Sequence, residues 1–269
     1  ALVATFDPHP AKLFRPDAPP FALTRLDQKL DLFAGFGIDA TVVIPFNAAL
    51  AALTAEQFVG DWLHARIGAG VAVSGADFTF GTKRSGNTAL LAELGQGHGF
   101  AAEVVHAVSD SGGVISSTRI REALRDGEVA AATALLTRPF AIRGEVQHGA
   151  KLGRTLGFPT ANLVLGAYLR PRFGVYAVRA RLADGSVVGG VANLGIRPMI
   201  EPPVELLETF LFDWAGDLYG QTIDIELVEF LRPEWKLDGL DALKAQIAVD
   251  SDNARAALTR TLTNYTEQS

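Results

Sequence analysis

Residues 153–162 read Gly-Arg-Thr-Leu-Gly-Phe-Pro-Thr-Ala-Asn, a set of types suited to a bound phosphate. Gly153 and Gly157 let the backbone approach a ligand closely. Arg154 supplies a permanent charge in a planar fork that matches phosphate oxygens. Pro159 stiffens the chain just ahead of Thr160 and Asn162. Those two short side chains offer oxygens to a nucleotide or to a hydrated Mg²⁺. The run is not a Walker loop, which needs Gly-Lys-Ser/Thr between a strand and a helix. Leu163, Val164 and Leu165 follow instead, so the motif leads into a strand. A Gly/Pro-rich stretch of this length is otherwise an ordinary surface loop; Arg, Thr and Asn together weigh against that.

A second feature is Glu208, within Leu206-Leu207-Glu208-Thr209-Phe210-Leu211-Phe212. A carboxylate in an apolar strand is costly to desolvate unless it faces a polar cavity. Read alone, it fits a solvent-facing edge strand equally well. Asn193 and Arg197 have the same double reading, as site lining or as a polar strand end. In the first half, Gly75-Ala76-Asp77-Phe78-Thr79-Phe80-Gly81 follows an apolar run, and Ser116-Ser117-Thr118-Arg119-Ile120-Arg121 opens a helical one. Backbone N–H groups at a helix start, with Ser117, Thr118 and Arg121, make a phosphate cradle. The bland alternative is a Ser/Thr helix cap with solvated arginines.

The elements needed to position these groups differ between the halves. Up to about residue 137, strand and helix signals alternate. Ala1–Phe6, Thr41–Phe46, Val71–Ser74 and Ala102–Val108 read as strands. Helices are expected after Thr24 (over Arg25–Phe36, with Leu26, Leu30 and Phe33 on one face), after the Thr54/Gln57 capping box and after Asn87. Two more follow, from Ser116 or Ser117 to about Arg125 and over Glu128–Leu136. This order predicts a Rossmann-like parallel sheet covered by helices, with ligands at the C-terminal strand ends. Beyond Arg138-Pro139 the period becomes that of strands. Tyr176, Val178, Ala180 and Leu182 alternate with Arg179 and Arg181, and Asp184-Gly185 marks a hairpin turn. An antiparallel β-barrel is expected there, closed by two helices, Leu240–Val249 and Asp252–Thr263. The predicted class is α/β plus β, with domains 1–138 and 139–269.

Composition narrows the function. A chain of 269 residues with 48% hydrophobic content can fill two ordinary cores. A net charge of −6 argues against a broad nucleic-acid surface. No cysteine is present, which excludes disulfides and thiolate metal sites. No apolar run approaches the roughly 20 residues of a spanning helix. A cytoplasmic enzyme acting on small molecules, with neither membrane nor nucleic-acid partner, fits these bounds. Homo-oligomerisation is left open.

The Pro159-Thr160-Ala161-Asn162 run resembles the signature of riboflavin kinase. Gly174-Val175-Tyr176-Ala177-Val178, Val191-Ala192-Asn193-Leu194-Gly195 with Arg197-Pro198, Glu208 before Phe212-Asp213, Asp217-Leu218-Tyr219-Gly220 and Leu231-Arg232-Pro233-Glu234 extend the likeness in order. The first half resembles the partner domain of the bacterial fused enzyme, FMN adenylyltransferase (FAD synthetase). The resemblance implies a six-stranded barrel that makes FMN from riboflavin and ATP, and a nucleotidyltransferase domain that makes FAD from FMN and ATP, both with Mg²⁺. It implies that Gly153, Thr160, Asn162 and Asn193 contact Mg²⁺–ATP or flavin, with Thr160 and Asn162 on the metal. Glu208 and Arg154 become the catalytic pair, Glu208 as base for the terminal hydroxyl of the ribityl chain. Asp77, Ser117, Thr118 and Arg121 match the nucleotide and FMN contacts of the other domain. Phosphoryl transfer asks mainly for alignment, a divalent ion and a proton acceptor, and these residues supply that list. Phe173, Tyr176, Trp214, Leu218, Tyr219 and Trp235 are candidates for the flavin slot, or simply core.

Three departures stand out. The family's Gly-x-Phe-Asp-Gly-x-His-x-Gly-His motif does not occur in these residues, and Thr5-Phe6-Asp7-Pro8-His9-Pro10 lacks its spacing. The strand-like opening makes a missing segment of about forty residues the expected reason; loss of adenylyl transfer is the other. Residues 1–269 by themselves are expected to make FAD poorly. Thr137 stands where the family has Gly, and Met199 where it has Thr. Two further readings stay open: a riboflavin kinase whose first domain is inactive or regulatory, and a flavin-binding barrel without phosphoryl transfer.

Overall fold

The computed structural model describes residues 1–148, 158–197 and 204–266. These fall into two compact units, one of residues 1–18 and 30–115, the other of residues 19–29 and 116–269.

In the first unit, β1 (Leu2–Asp7) runs parallel to β2 (Ala40–Pro45), and β3 (Val71–Gly75) parallel to β4 (Ala101–Val105). Parallel neighbours need crossover connections, and helices provide them. The helix α1 (Pro10–Phe14) is capped by His9, whose Nδ1 accepts from the Ala11 N–H at 3.1 Å. After α2 (Leu26–Gly35), whose first four residues are counted with the second unit, come α3 (Ala48–Ala52), capped by Asn47, and α4 (Ala55–Gln57). The Thr54/Gln57 capping box opens α4 as expected, and a π-helical stretch, Phe58–Arg66, carries it on. Asn87 caps α5 (Thr88–His98). Ile44, Phe58, Val59, Phe80, Leu91 and Phe100 form the core between these helices and strands. A short hairpin, β5 (Ser109–Asp110) and β6 (Gly113–Val114), ends the unit.

The second unit is a curled antiparallel sheet of six strands: β7 (Phe140–Glu145), β8 (Thr160–Val164), β9 (Gly174–Arg181), β10 (Val187–Arg197), β11 (Val204–Leu211) and β12 (Thr222–Arg232). Their spatial order is β7-β12-β9-β10-β11-β8. Among the described residues, the outer strands β7 and β8 are joined by one isolated bridge, from Gln147 just beyond β7 to Asn162, so the sheet is a half-barrel. Alternation sends Leu163, Tyr176, Val178, Leu194, Leu207 and Ile225 into the barrel interior. The helices α6 (Ser117–Asp126) and α7 (Val129–Leu136) bury Ile120, Leu124, Val129 and Ala132 in that same core. The sheet's other face carries Val175, Ala177 and Val191, which pack with Ala254, Ala257 and Leu258.

Those last residues belong to α8 (Gly239–Thr266), one continuous helix of 28 residues where two were expected. Asp250-Ser251-Asp252 resembles a helix start, but its polar groups are engaged within the fold. The Asp250 carboxylate binds Arg232, Gln246 donates to Asp250 at 2.9 Å, and the Ser251 hydroxyl donates to the Ile247 carbonyl at 2.7 Å. With neither Gly nor Pro there, nothing breaks the helix.

The helix α2 also departs from its expected pattern. Its buried residue is Gln28, while Leu30 is exposed. Gln28 Nε2 donates to the Ala141 carbonyl and to Asp224, each at 3.2 Å, and its Oε1 accepts from the Tyr168 hydroxyl at 2.6 Å. Burial pushes the Tyr168 hydroxyl up to about 12, so it stays a donor at neutral pH. Gln28 Oε1 also takes the N–H of Arg25, the residue just before the helix, at 3.1 Å. Thr137 ends α7 with φ 58, a left-handed conformation that Gly adopts freely.

Candidate functional site

Strand register assembles the main site. Asn162 on β8 lies opposite Glu208 on β11, Glu208 opposite Asn193 on β10, and Asn193 opposite Val175 on β9. Directly opposed residues point to one side of a sheet. This row lies on the face that α8 covers, and Glu208 and Asn193 line a cavity of about 230 Å³ there. Thr160, two residues before Asn162, lines it too, with Phe158, Phe210 and Trp235 among the apolar walls.

The polar groups of the row are linked. Glu208 Oε2 accepts from Arg197 Nε at 2.9 Å and from Nη2 of the same guanidinium. Arg197 Nη1 lies 3.4 Å from Glu234 Oε1, which also accepts from Asn193 Nδ2 at 3.1 Å. Burial works against the charge on Arg197. The hydrogen bond to Glu208 and the charges of both acids outweigh it and hold the guanidinium pKa above its ordinary value. Three side-chain oxygens nearby are buried without a hydrogen-bond partner among the described residues: Asn162 Oδ1, Asn193 Oδ1 and Thr209 Oγ1. An unpaired buried polar atom costs about 1–3 kcal/mol, so such atoms mark places where a ligand would complete the structure.

Thr209 follows Glu208 and therefore faces the other way, into a second cavity of about 380 Å³ bordered by Trp214, Leu218 and Tyr219. Thr160 borders both cavities. Glu234 fits its place because position 195 is Gly. A Cβ there would lie 2.2 Å from Glu234 Oε1. Gly195→Ala is thus expected to push the Glu234 carboxylate off Asn193 and to cost about 1–3 kcal/mol, measurable by urea unfolding.

The expected residues are distributed as follows. Thr160, Asn162, Asn193 and Glu208 come together. Gly153, Arg154 and Met199 lie outside the described residues. Of the slot aromatics, Trp235 borders the first cavity and Trp214 and Tyr219 the second, while Tyr176 is wholly buried in the barrel core. Sequence reading missed the role of Glu234 in tying Asn193 to Arg197, and missed the Arg232–Asp250 ion pair, 2.6 Å between Nη2 and Oδ2. Its only signal was the Arg-Pro-Glu run, which states no partner.

In the first unit, a cavity of about 840 Å³ is walled by Phe6, Phe14, Phe46, Phe58, Phe78 and Phe80 and bordered by Lys83 and Arg84. Asp77 sits in the turn after β3, its Oδ1 against Gly75. Ser117, Thr118 and Arg121 belong to the other unit. Ser116 rather than Ser117 caps α6, its Oγ accepting from the Arg119 N–H at 3.3 Å. Ser117 and Thr118 occupy the first turn. Arg121 Nε donates to the Phe21 carbonyl at 2.9 Å; burial, then the neighbouring Arg125 charge, lowers its pKa.

The riboflavin kinase family model matches residues 136–258, and the FAD synthetase model residues 1–119. The bifunctional riboflavin kinase/FMN adenylyltransferase of Escherichia coli K12 is 42% identical over 94% of this chain and 81% of its own length. The Bacillus subtilis 168 protein of the same name is 37% identical over 94% of this chain and 80% of its own. A crystal structure described as a macrolide-efflux protein from Streptococcus pneumoniae superposes with a TM-score of 0.83 at 31% identity, covering 94% of this chain and 83% of that one. Among the described residues, no helix is long and apolar enough to cross a membrane. Matched in both halves and 42% identical to a relative across most of its length, the chain belongs to the bifunctional riboflavin kinase/FMN adenylyltransferase family.

Proposed function

We propose that the row Asn162–Glu208–Asn193 is where riboflavin is phosphorylated. The observation that carries this is a carboxylate flanked on both neighbouring strands by buried amide oxygens that lack partners among the described residues, facing a cavity with aromatic walls. Glu208 takes the proton of the ribityl 5′-hydroxyl as the hydroxyl oxygen attacks the γ-phosphorus of ATP; the bond from that phosphorus to the β,γ-bridging oxygen breaks and ADP leaves. Arg197 keeps the carboxylate turned toward the cavity. Phe158, Phe210 and Trp235 exclude water beside the flavin. Thr160 and Asn162 would hold Mg²⁺: the unpartnered Asn162 Oδ1 and the Thr160 hydroxyl are hard oxygen donors of the kind this cation takes. When bound, the ion offsets charge on the phosphates. Gly153 and Arg154 complete the phosphate contacts.

We assign FMN adenylylation to residues 1–138 and riboflavin phosphorylation to residues 139–269. The phenylalanine-lined cavity suits a flat flavin, and Lys83 and Arg84 suit its phosphate. Asp77, Ser117, Thr118 and Arg121 are the nucleotide contacts carried over from the family pattern. A cytoplasmic setting, where ATP is at hand, goes with this reading. The test is one incubation with riboflavin and Mg–ATP, with riboflavin, FMN and FAD resolved by chromatography. FMN should accumulate, and Thr160→Ala should lower its formation about tenfold or more, the worth of one contact to a charged group. A folded Thr160→Ala variant as fast as the parent would remove Thr160 from the site.

A further inference from the structure

The two amides beside Glu208 are not equivalent. Asn193 turns its Nδ2 to the Glu234 carboxylate, to which it donates one N–H. Its Oδ1 is buried and without a partner among the described residues. An amide oxygen can accept but cannot donate, so this atom selects a donor. Asn193 lies one strand across from Glu208, where opposed side chains are close neighbours. The group that meets it is therefore bonded near the group that meets Glu208. The substrate's side chain carries a hydroxyl on every carbon next to the reacting end, and a hydroxyl is a donor.

We infer that Asn193 reads the hydroxyl adjacent to the one phosphorylated, and that Glu234 is its positioning residue. Glu234 reaches Asn193 through the space that Gly195 leaves by lacking a Cβ. It also shares Arg197 with Glu208, so one carboxylate sets both the amide and the guanidinium beside the base. Freed of Glu234, the amide could turn its Nδ2 inward and meet the substrate hydroxyl as a second donor. Selection then operates through an unpaired buried acceptor: a substrate lacking that hydroxyl leaves Oδ1 unsatisfied, and sites of this kind reject such analogues strongly.

The inference rests on Glu208 facing the reacting hydroxyl, and the test separates the two. Riboflavin and 4′-deoxyriboflavin are compared as substrates of the full chain by kcat/KM. The parent enzyme should prefer riboflavin by at least tenfold. Asn193→Ala should bring the preference to near one by slowing riboflavin only. Glu234→Ala, with Asn193 intact, should cut the preference at least threefold. Glu234→Gln, whose Oε1 still accepts from Asn193, should restore it. A merely structural role for Glu234 would slow both substrates alike and leave their ratio unchanged, which overturns the proposal. A parent ratio below three overturns it whatever the variants do, even if they fail to fold. If Glu208→Gln makes FMN at the parent rate, the underlying site is wrong. If Glu208→Gln is slow and the ratio is insensitive to residues 193 and 234, only this inference fails.

Discussion

Glu208→Gln is expected to reduce kcat for FMN formation about 10³-fold, mid-range for loss of a positioned general base. The substitution keeps the side chain's shape and leaves an oxygen to accept from Arg197. It removes only the ability to take a proton. Phosphoryl transfer passes through a loose transition state in which the attacking hydroxyl has made little bond to phosphorus. Its proton need not leave early, and a tethered carboxylate that receives it late is sufficient. If Glu208 served only as polar lining, Gln would be within a few-fold of the parent. Single-turnover FMN formation, with urea unfolding to check the fold, decides between these outcomes.

Asp250→Ala is expected to cost about 3 kcal/mol of stability, the low end for breaking a buried ion pair. The Asp250 side chain is 6% exposed and that of Arg232 14%. Both carboxylate oxygens are engaged, Oδ1 with Arg232 Nε at 2.8 Å and Oδ2 with Nη2 at 2.6 Å. Removal strands a guanidinium between the end of β12 and α8. The same guanidinium lies over the Trp235 ring at 4.5 Å, so the cavity wall should loosen as well. Since taking one partner is worse than taking both, Arg232→Met with Asp250→Leu should be more stable than Asp250→Ala. Chemical denaturation of the three proteins measures this. A loss under 1 kcal/mol for Asp250→Ala would show that the pair contributes little.

The fold was legible where local chemistry decides it. The Thr54/Gln57 box, the Asn87 cap and the alternation of Tyr176, Val178 and Ala180 each depend on residues a few positions apart, and each reads correctly. The candidates Asn162, Asn193 and Glu208 stand out for an equally local reason, as polar residues in apolar strands, and strand register sets them in one row. Failures came where a distant partner settles the outcome. Asp250-Ser251 looks like a helix start until Arg232, 18 residues earlier, occupies the carboxylate. Gln28 looks like a surface residue until Tyr168, 140 positions on, meets it. Glu234 is unremarkable in sequence, because its importance lies in a gap left by Gly195 and in an amide on another strand. No periodicity records such couplings.

The Gln28 contacts bear on how this gene can be cut. Residues 19–29 are sewn to the barrel through Gln28, and α6 and α7 share its core. A fragment cloned from residue 139 would keep every strand and the whole Asn162–Glu208–Asn193 row. Like a product beginning at residue 116, it would leave the Tyr168 hydroxyl without its Gln28 acceptor; it alone would also uncover the apolar ground beneath α6 and α7. Recombinant 139–269 should therefore be less soluble and lower-melting than a product beginning at residue 116, though the two encode the same strands.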